Sequence, residues 1–461
     1  MKHVPMNTVF VDITKDTPIN IVKQRISSRG REDKDDALFV ADLGDIVHKY
    51  KTWKAQLPHV APFYGKSSLF KCNDDPVVLE VLAQLGTGFD CASKVEIQKI
   101  LELKVKPERI VYANPCKQNS HIRYAAKKGI TKMTFDNEIE LHKIKLNHPK
   151  AELILRIAPP DDSKSQCQLG MKYGCNLKAV SRLLKVAKQL DLCVIGVSFH
   201  VGSGCFDRMA YVTAVALSRT VFDIGESHGY HFDLLDIGGG FPGQKSSKIS
   251  FEEICDALCP ALDEYFPKSM GVHMIAEPGR FFVASAFTLA VNIIAKRAVP
   301  RGEGYLGDKE LTANDEPSFM YYVNDGVYGS FNCLLYDHAE VKPTLIDDYS
   351  SEPNFTSSIW GPTCDGLDCI VEKCFLPELV DGDWIVFRDM GAYTMCAASN
   401  FNGMPKPRCH YVIQDLPWHQ LNAKKCGSGL LRVVSEMKSG HEILDDPEYH
   451  DVCPAIAVID N

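Results

Sequence analysis

Leu234-Leu235-Asp236-Ile237-Gly238-Gly239-Gly240-Phe241-Pro242-Gly243 reads as a short apolar strand over residues 234–237 that runs straight into three glycines. A strand this short, closed by residues free to adopt unusual backbone angles, predicts a βα turn of a parallel sheet. The pattern repeats on both sides. Upstream, residues 194–198 form an apolar run that leads into Phe199-His200-Val201-Gly202-Ser203-Gly204-Cys205; downstream, residues 274–276 lead into Glu277-Pro278-Gly279-Arg280. Helical periodicity fills the gaps, over 181–190 and 210–228. Further back, strand-like runs at 109–112, 132–135 and 153–157 alternate with helical ones at 76–85, 93–103, 120–128 and from about 137. Seven or eight such units predict a closed (β/α)8 TIM-like barrel over residues 45–283, near the ~250 residues usual for that fold. Beyond residue 284 the pattern changes to short strands at 291–295, 319–323, 383–387 and 410–413, separated by Gly, Pro and Asp turns. Residues 1–44 and 284–461 are therefore expected to form a β-rich second domain, barrel- or sandwich-like, with residues 37–41 as a strand joining it. Residues 27–33 read as an exposed loop, 301–317 as a polar connection, and the tail from Leu416 as variable with one short helix.

Composition narrows the class. The chain has 461 residues and a formal net charge of −8 with scattered lysines, which lacks the electrostatic footprint of a nucleic-acid binder. Seventeen cysteines, an odd number with no short repeated spacing, argue against a secreted disulfide framework and for a reducing, cytoplasmic setting. The N-terminal residues show neither a signal-peptide core nor an arginine-rich transit pattern. The longest nearly apolar run, residues 281–295, is too short and too polar to span a bilayer. Asn354-Phe355-Thr356 is a chance glycosylation sequon in that setting.

Polar residues collect where strands end, which in a barrel is where chemistry sits. Asp90, Asn114, Arg156, His200, the glycine run and Glu277 all occupy such positions. Gly238, Gly239 and Gly240 read either as a tight turn or as backbone that can approach an anion, because no Cβ intervenes. Glu277, Gly279 and Arg280 add a carboxylate, a permissive backbone and a cation one strand later, so the two motifs together describe a phosphate cradle beside an acid. The G-x-G-x-x-G spacing of a dinucleotide site is absent. Gly65-Lys66-Ser67 lacks the upstream glycine of a P-loop. Cys364, Cys369 and Cys374 have no knuckle spacing, and no metal is expected. Asp325, Asp337 and Asp365 lie among glycines and aromatics, which suits either turns or a site for a cationic substrate.

Taken together, these segments resemble the ornithine decarboxylase family of pyridoxal 5′-phosphate (PLP) enzymes with the alanine-racemase-like fold, a family whose relatives include antizyme inhibitors. The resemblance runs from about residue 37 to 415 and rests on FVADLGDIV, KCND, GTGFDCASK, YANPCKQ, YAAKKGI, SFHVGSGC, LLDIGGGFPG, AEPGR, ASAFTLAVNIIAK, YYVNDGVYGSFNC, YDHA, WGPTCDGLD and MGAYT. It implies PLP as the cofactor, bonded to Lys71. Asp90 matches a carboxylate near the cofactor, Arg156 a basic member of its hydrogen-bond network, and His200 the ring stacked on the pyridine face. Ser203, Gly238, Gly239, Gly240, Gly279, Arg280 and Tyr393 match the phosphate cradle, and Glu277 the acid facing the pyridine nitrogen. Cys364 matches the residue that returns a proton to the substrate carbon. Asp337 and Asp365 match the acids that hold the substrate's distal ammonium, and Tyr328 and Phe401 the aromatics lining the site. The resemblance further implies a homodimer whose two active sites are shared between subunits, and an antizyme-binding surface around residues 117–142.

One departure stands out. The family reads F-Y-A-V-K-C-N, whereas this chain has Phe63-Tyr64-Gly65-Lys66-Ser67-Ser68-Leu69-Phe70-Lys71, four residues longer. Positioning within about 1 Å matters for catalysis, so three readings stay open. They are an amino-acid decarboxylase converting ornithine to putrescine and CO2, a decarboxylase of a neutral aliphatic amino acid such as leucine, and a silent antizyme-binding regulator. Lys66 stands as the alternative to Lys71.

Overall fold

The computed structural model describes residues 9–30, 34–65, 72–158, 165–167, 172–244, 247–300, 317–413 and 431–434. Lys66 and Lys71, the polar connection at 301–316 and the expected short helix in the tail lie outside them. The chain divides into two compact units, one formed by residues 45–285 with 391–396, the other by residues 1–44, 286–390 and 397–461.

The first unit is a closed barrel of eight parallel strands: Val60–Tyr64, Gly88–Cys91, Ile110–Tyr112, Lys132–Phe135, Glu152–Arg156, Cys193–Ser198, Leu234–Asp236 and His273–Ala276. Its interior is apolar. Phe63, Val111, Ala113, Ile154, Leu234 and Ile275, drawn from five of the strands, form one buried cluster. Local chemistry sets the helix limits. Asp75 caps Pro76–Leu85 by accepting from the N–H groups of Val77 and Val78 at 2.9 and 3.2 Å, Pro76 supplies a preset first residue, and Gly86 at φ 94° ends the helix. Leu177–Gln189 buries Val180, Leu183, Leu184 and Ala187, the i, i+3, i+4, i+7 stripe of a helix lying on a sheet. Ser250 and Glu253 form a reciprocal capping box at the start of Phe251–Tyr265.

An aromatic layer fixes the loop after the seventh strand. Trp53 donates its indole N–H to the Val60 carbonyl at 3.0 Å and packs on Phe241 and Phe251 at 5.0 and 5.3 Å. Phe241 also stacks on Tyr211 at 5.0 Å. Each such pair adds about 0.5–1.5 kcal/mol beyond area burial, so the residue directly after the glycine run is held in place.

The second unit is a mixed ten-stranded sheet. Leu38–Asp42 pairs antiparallel with the long strand Phe287–Pro300 and parallel with Arg408–Ile413. Ile21, Val22, Leu38, Val40, Ala290, Val386 and Val412 build its core. Ser27 and Ser28 do not belong to a loop: they close a helix, Pro18–Ser28, capped by the Thr17 side chain. Only Ile21 and Val22 of that helix are buried, too few to give a sequence signal. Among the described residues no helix is long and apolar enough to cross a membrane.

Candidate active site

The barrel gathers polar groups at the C-terminal ends of its strands. Asp90 lies in the second strand, Arg156 and Ser198 end the fifth and sixth, Asp236 ends the seventh, and Glu277 directly follows the eighth. All five are buried, as are His200, Ser203 and Arg280. Hydrophobic strands can carry such groups only where hydrogen bonds or charges compensate their desolvation.

The glycine run is threaded through a space that no side chain could share. Gly238 has φ 63° and Gly240 φ 104°, in the left-handed region that glycine alone adopts freely. A Cβ on Gly239 would lie 2.6 Å from the Glu277 carbonyl oxygen and 3.0 Å from His200 Nε2; one on Gly240 would lie 2.6 Å from the Gly202 carbonyl oxygen. Hydrogen bonds from the Gly238 N–H to Asp236 Oδ1 (2.9 Å), from the Glu277 N–H to the Gly238 carbonyl (2.6 Å) and from the Tyr211 hydroxyl to the Gly239 carbonyl (3.3 Å) lock the path.

Around this run the side chains are oriented. The Gly202 N–H donates to His200 Nδ1 at 2.9 Å; an accepting Nδ1 leaves the proton of a neutral ring on Nε2. Arg280 donates from Nη2 to Ser203 Oγ at 2.9 Å, and its guanidinium lies 4.7 Å from the Tyr393 ring centroid. Tyr393 holds a left-handed backbone (φ 62°), and its N–H donates to the Cys72 carbonyl at 2.7 Å. The Tyr64 hydroxyl donates to the Asn73 carbonyl at 2.9 Å, and Asn73 Nδ2 to the Gly391 carbonyl at 2.8 Å. The residues immediately after Lys71 are thus tied on two sides. Arg156 lies 5.3 Å from the Tyr173 ring centroid. Burial, then the neighbouring charge of Glu277 and its hydrogen bond, push the Asp236 carboxyl well above the ordinary carboxylate range, against the pull of the Gly238 N–H.

A second cluster stands in the β-rich unit. The Tyr328 hydroxyl donates to Asp365 Oδ2 at 2.6 Å, the Leu367 N–H donates to Asp365 Oδ1 at 2.9 Å, and the Tyr328 and Phe401 rings stack at 4.3 Å. The Leu367 N–H foremost, and next the Tyr328 hydroxyl, hold the Asp365 carboxyl below its usual range. The loop that presents exposed Cys364 is clamped by buried Asp368, which accepts from the Val327 N–H (2.8 Å), the Thr363 N–H (3.0 Å) and the Thr363 hydroxyl (2.6 Å). Asp337 is buried at the end of the short helix Cys333–Tyr336. Tyr328, Asp365 and Phe401 are therefore in mutual contact through Tyr328. Asp236, Tyr211, Gly202 and Asp368 are groups that sequence reasoning did not assign; an acid at the end of an interior strand was the available signal for Asp236.

A buried cation on a hydroxyl, glycine backbone stripped of side chains, a neutral imidazole over that backbone and an adjacent carboxylate fit a phosphorylated aromatic ring. The first unit is thus the barrel of a cofactor-dependent enzyme. Comparison with known proteins agrees: residues 43–284 match the family model described as "Pyridoxal-dependent decarboxylase, pyridoxal binding domain". Ornithine decarboxylase of Mus pahari is 54% identical over 425 residues, covering 92% of this chain and 90% of that protein. Antizyme inhibitor 2 of Xenopus laevis is 52% identical over 431 residues, covering 92% of each. The crystal structure of the Paramecium bursaria Chlorella virus arginine decarboxylase bound to agmatine superposes with a TM-score of 0.77 at 33% identity, covering 85% of this chain and all of that one. The chain belongs to the pyridoxal-dependent decarboxylases, and it is a PLP-dependent carboxy-lyase.

Proposed function

We propose that the protein decarboxylates L-ornithine to putrescine and CO2, working as a cytoplasmic homodimer with active sites shared between subunits. The observation that carries this reading is Asp365. Its carboxylate is kept ionised by two donors and faced by the stacked pair Tyr328 and Phe401. That arrangement suits the distal ammonium of a diamino acid and would be costly beside a neutral side chain, which leaves the charge unpaired. Identity of about half with ornithine decarboxylases supports the same reading.

The roles follow from the residues. Lys71 would hold the cofactor through its amine. Ser203, the backbone of Gly238, Gly239, Gly240 and Gly279, Arg280 and the Tyr393 hydroxyl would hold its phosphate. His200 would lie against the ring face, Arg156 and Asp90 would belong to the surrounding hydrogen-bond network, and Glu277 would hold a proton at the ring nitrogen. PLP supplies an electron-accepting ring for the electrons left when CO2 departs. Asp365 and Asp337 bind the substrate's distal ammonium, Tyr328 and Phe401 exclude water from its methylenes, and the Cys364 thiol returns a proton to Cα.

The test is Lys71→Ala assayed beside the wild-type chain with PLP and ornithine. Loss of both covalent cofactor attachment and CO2 release is expected; retained turnover would assign the role to another lysine. A regulatory reading has one observation in its favour, the four extra residues before Lys71. It predicts antizyme binding with no CO2 release from ornithine, and the same assay separates the two.

A further inference from the structure

Asp236 and Glu277 stand at the ends of adjoining strands. Asp236 pairs in parallel register with Ile275, the Ile237 N–H donates to the Ile275 carbonyl at 2.9 Å, and the Glu277 N–H donates to the Gly238 carbonyl at 2.6 Å. Side chains alternate along a strand, so Asp236 points as Leu234 does and Glu277 continues the direction of Ile275. Leu234 and Ile275 belong to the cluster drawn from five strands, which is the barrel interior. Both carboxyls therefore enter that interior at its catalytic end.

Asp236 is completely buried, and its Oδ1 accepts from the Gly238 N–H. Its Oδ2 receives no N–H or O–H donor among the described residues. What stands at the end of the adjoining strand is the Glu277 carboxyl; burial first, then the charge of Glu277, raise the Asp236 carboxyl, with the charge of Asp90 adding to it from the second strand. Two carboxyls can hydrogen-bond each other only when one carries a proton. Two bare carboxylates there would repel, and two protonated ones would leave nothing to balance a cationic ring nitrogen.

We propose that Asp236 is a positioning residue: its carboxyl keeps the pair's single proton and donates it to Glu277, so that Glu277 presents one oriented negative charge to the cofactor's ring nitrogen. This rests on the reading that Glu277 faces that nitrogen. The competing role is architectural, with Asp236 serving only to tie down the turn at Gly238.

Two substitutions separate these roles. Asp236→Asn keeps an acceptor for the Gly238 N–H and supplies a permanent N–H donor to Glu277, whereas Asp236→Leu has similar size and supplies neither. PLP affinity of the stripped full-length protein is measured for both, alone and combined with Glu277→Gln, and the protonation of the ring nitrogen is followed by NMR of 15N-labelled PLP. Asp236→Asn should bind PLP within roughly threefold of wild type and keep the nitrogen protonated. Asp236→Leu should weaken binding roughly tenfold or more, since it leaves a buried carboxylate without its donor, and should lose the protonated-nitrogen signal. In the Glu277→Gln background, the same Asp236→Leu change should add less than about threefold, because residues that act as a unit are non-additive. Equal cost of Asp236→Leu in both backgrounds, or an Asp236→Asn protein as impaired as Asp236→Leu, would overturn the proposal in favour of the architectural role. Should Asp236→Leu fail to fold by circular dichroism, the nitrogen signal of Asp236→Asn decides alone. A Glu277→Gln protein with unchanged affinity and unchanged nitrogen signal would instead refute the underlying placement of Glu277.

Discussion

Gly239→Ala is the smallest change that interrogates the phosphate cradle. Its added Cβ would sit 2.6 Å from the Glu277 carbonyl oxygen and 3.0 Å from His200 Nε2. Ordinary contact starts near 3.4 Å, so the Glu277 backbone must yield by about 0.8 Å and the imidazole by about 0.4 Å. Gly239 does not have a left-handed φ, so the whole cost is steric. Overpacking of this kind costs about 1–3 kcal/mol. Taken from the binding site, that is roughly a 5- to 150-fold loss of PLP affinity; taken from the fold, it is a drop of about 2–4 °C in Tm for each kcal/mol. The control is Gly271→Ala, at φ 68° with no atom within 4 Å of the new Cβ. There the cost is backbone strain of about 1–2 kcal/mol, felt in Tm and not in PLP binding. Both variants are stripped of cofactor, titrated with PLP by visible absorbance, and melted by calorimetry. A Gly239→Ala protein that binds PLP within twofold of wild type would refute the claim that the cofactor approaches this backbone.

Two further predictions concern buried charge. Glu140 accepts from Lys117 Nζ at 2.9 Å and from Lys143 Nζ at 2.6 Å, and Lys117 is fully buried, its other donors directed at the Thr134 and Asn114 carbonyls at 2.6 and 3.1 Å. Glu140→Gln leaves that ammonium uncompensated, which should cost about 3–5 kcal/mol; calorimetry should show a larger fall in Tm than for Lys117→Met combined with Glu140→Leu, where only the half-exposed Lys143 loses its carboxylate and no fully buried charge is stranded. Asp325 is buried, with Oδ1 accepting from the Gly326 and Ser330 N–H groups at 2.8 and 3.0 Å, and burial raises its carboxyl to about 6 from 3.8. The folded state then holds a proton that the unfolded state releases, so this contribution is full below pH 3.8 and is lost as pH rises through about 6. Asp325→Asn should remove that dependence, so that wild-type stability measured against the variant falls by about 2 kcal/mol between pH 4 and pH 7; parallel curves in denaturant melts would contradict it.

What the sequence made legible follows from how each element is stabilised. Pro76–Leu85 was readable to the residue because an Asp-Pro start and a terminal glycine mark its two ends. Pro18–Ser28 was not, since two buried residues in eleven leave no period. Nor were Asn354–Trp360 and Cys369–Pro377, whose half-exposed faces mix serine, cysteine and charge with apolar residues. The glycine run marked either a tight turn or a close backbone approach, because left-handed angles such as the 104° of Gly240 are freely open to glycine alone. The contact between Tyr328, Asp365 and Phe401 joins residues up to 73 positions apart in the sequence; local pattern carries no trace of it, and only the family resemblance had linked them. Asp236 escaped notice because its meaning depends on Glu277, one strand and forty-one residues away.

The most direct test of the account is CO2 release by the purified full-length protein with PLP, run in parallel on ornithine, lysine, arginine and leucine. Preferential release from ornithine is predicted, with the rate falling when Asp365 is changed to Asn. Release from leucine alone would show that Asp337 and Asp365 do not face the substrate, and no release from any of the four would turn the four extra residues before Lys71 into the mark of a protein that binds without catalysing.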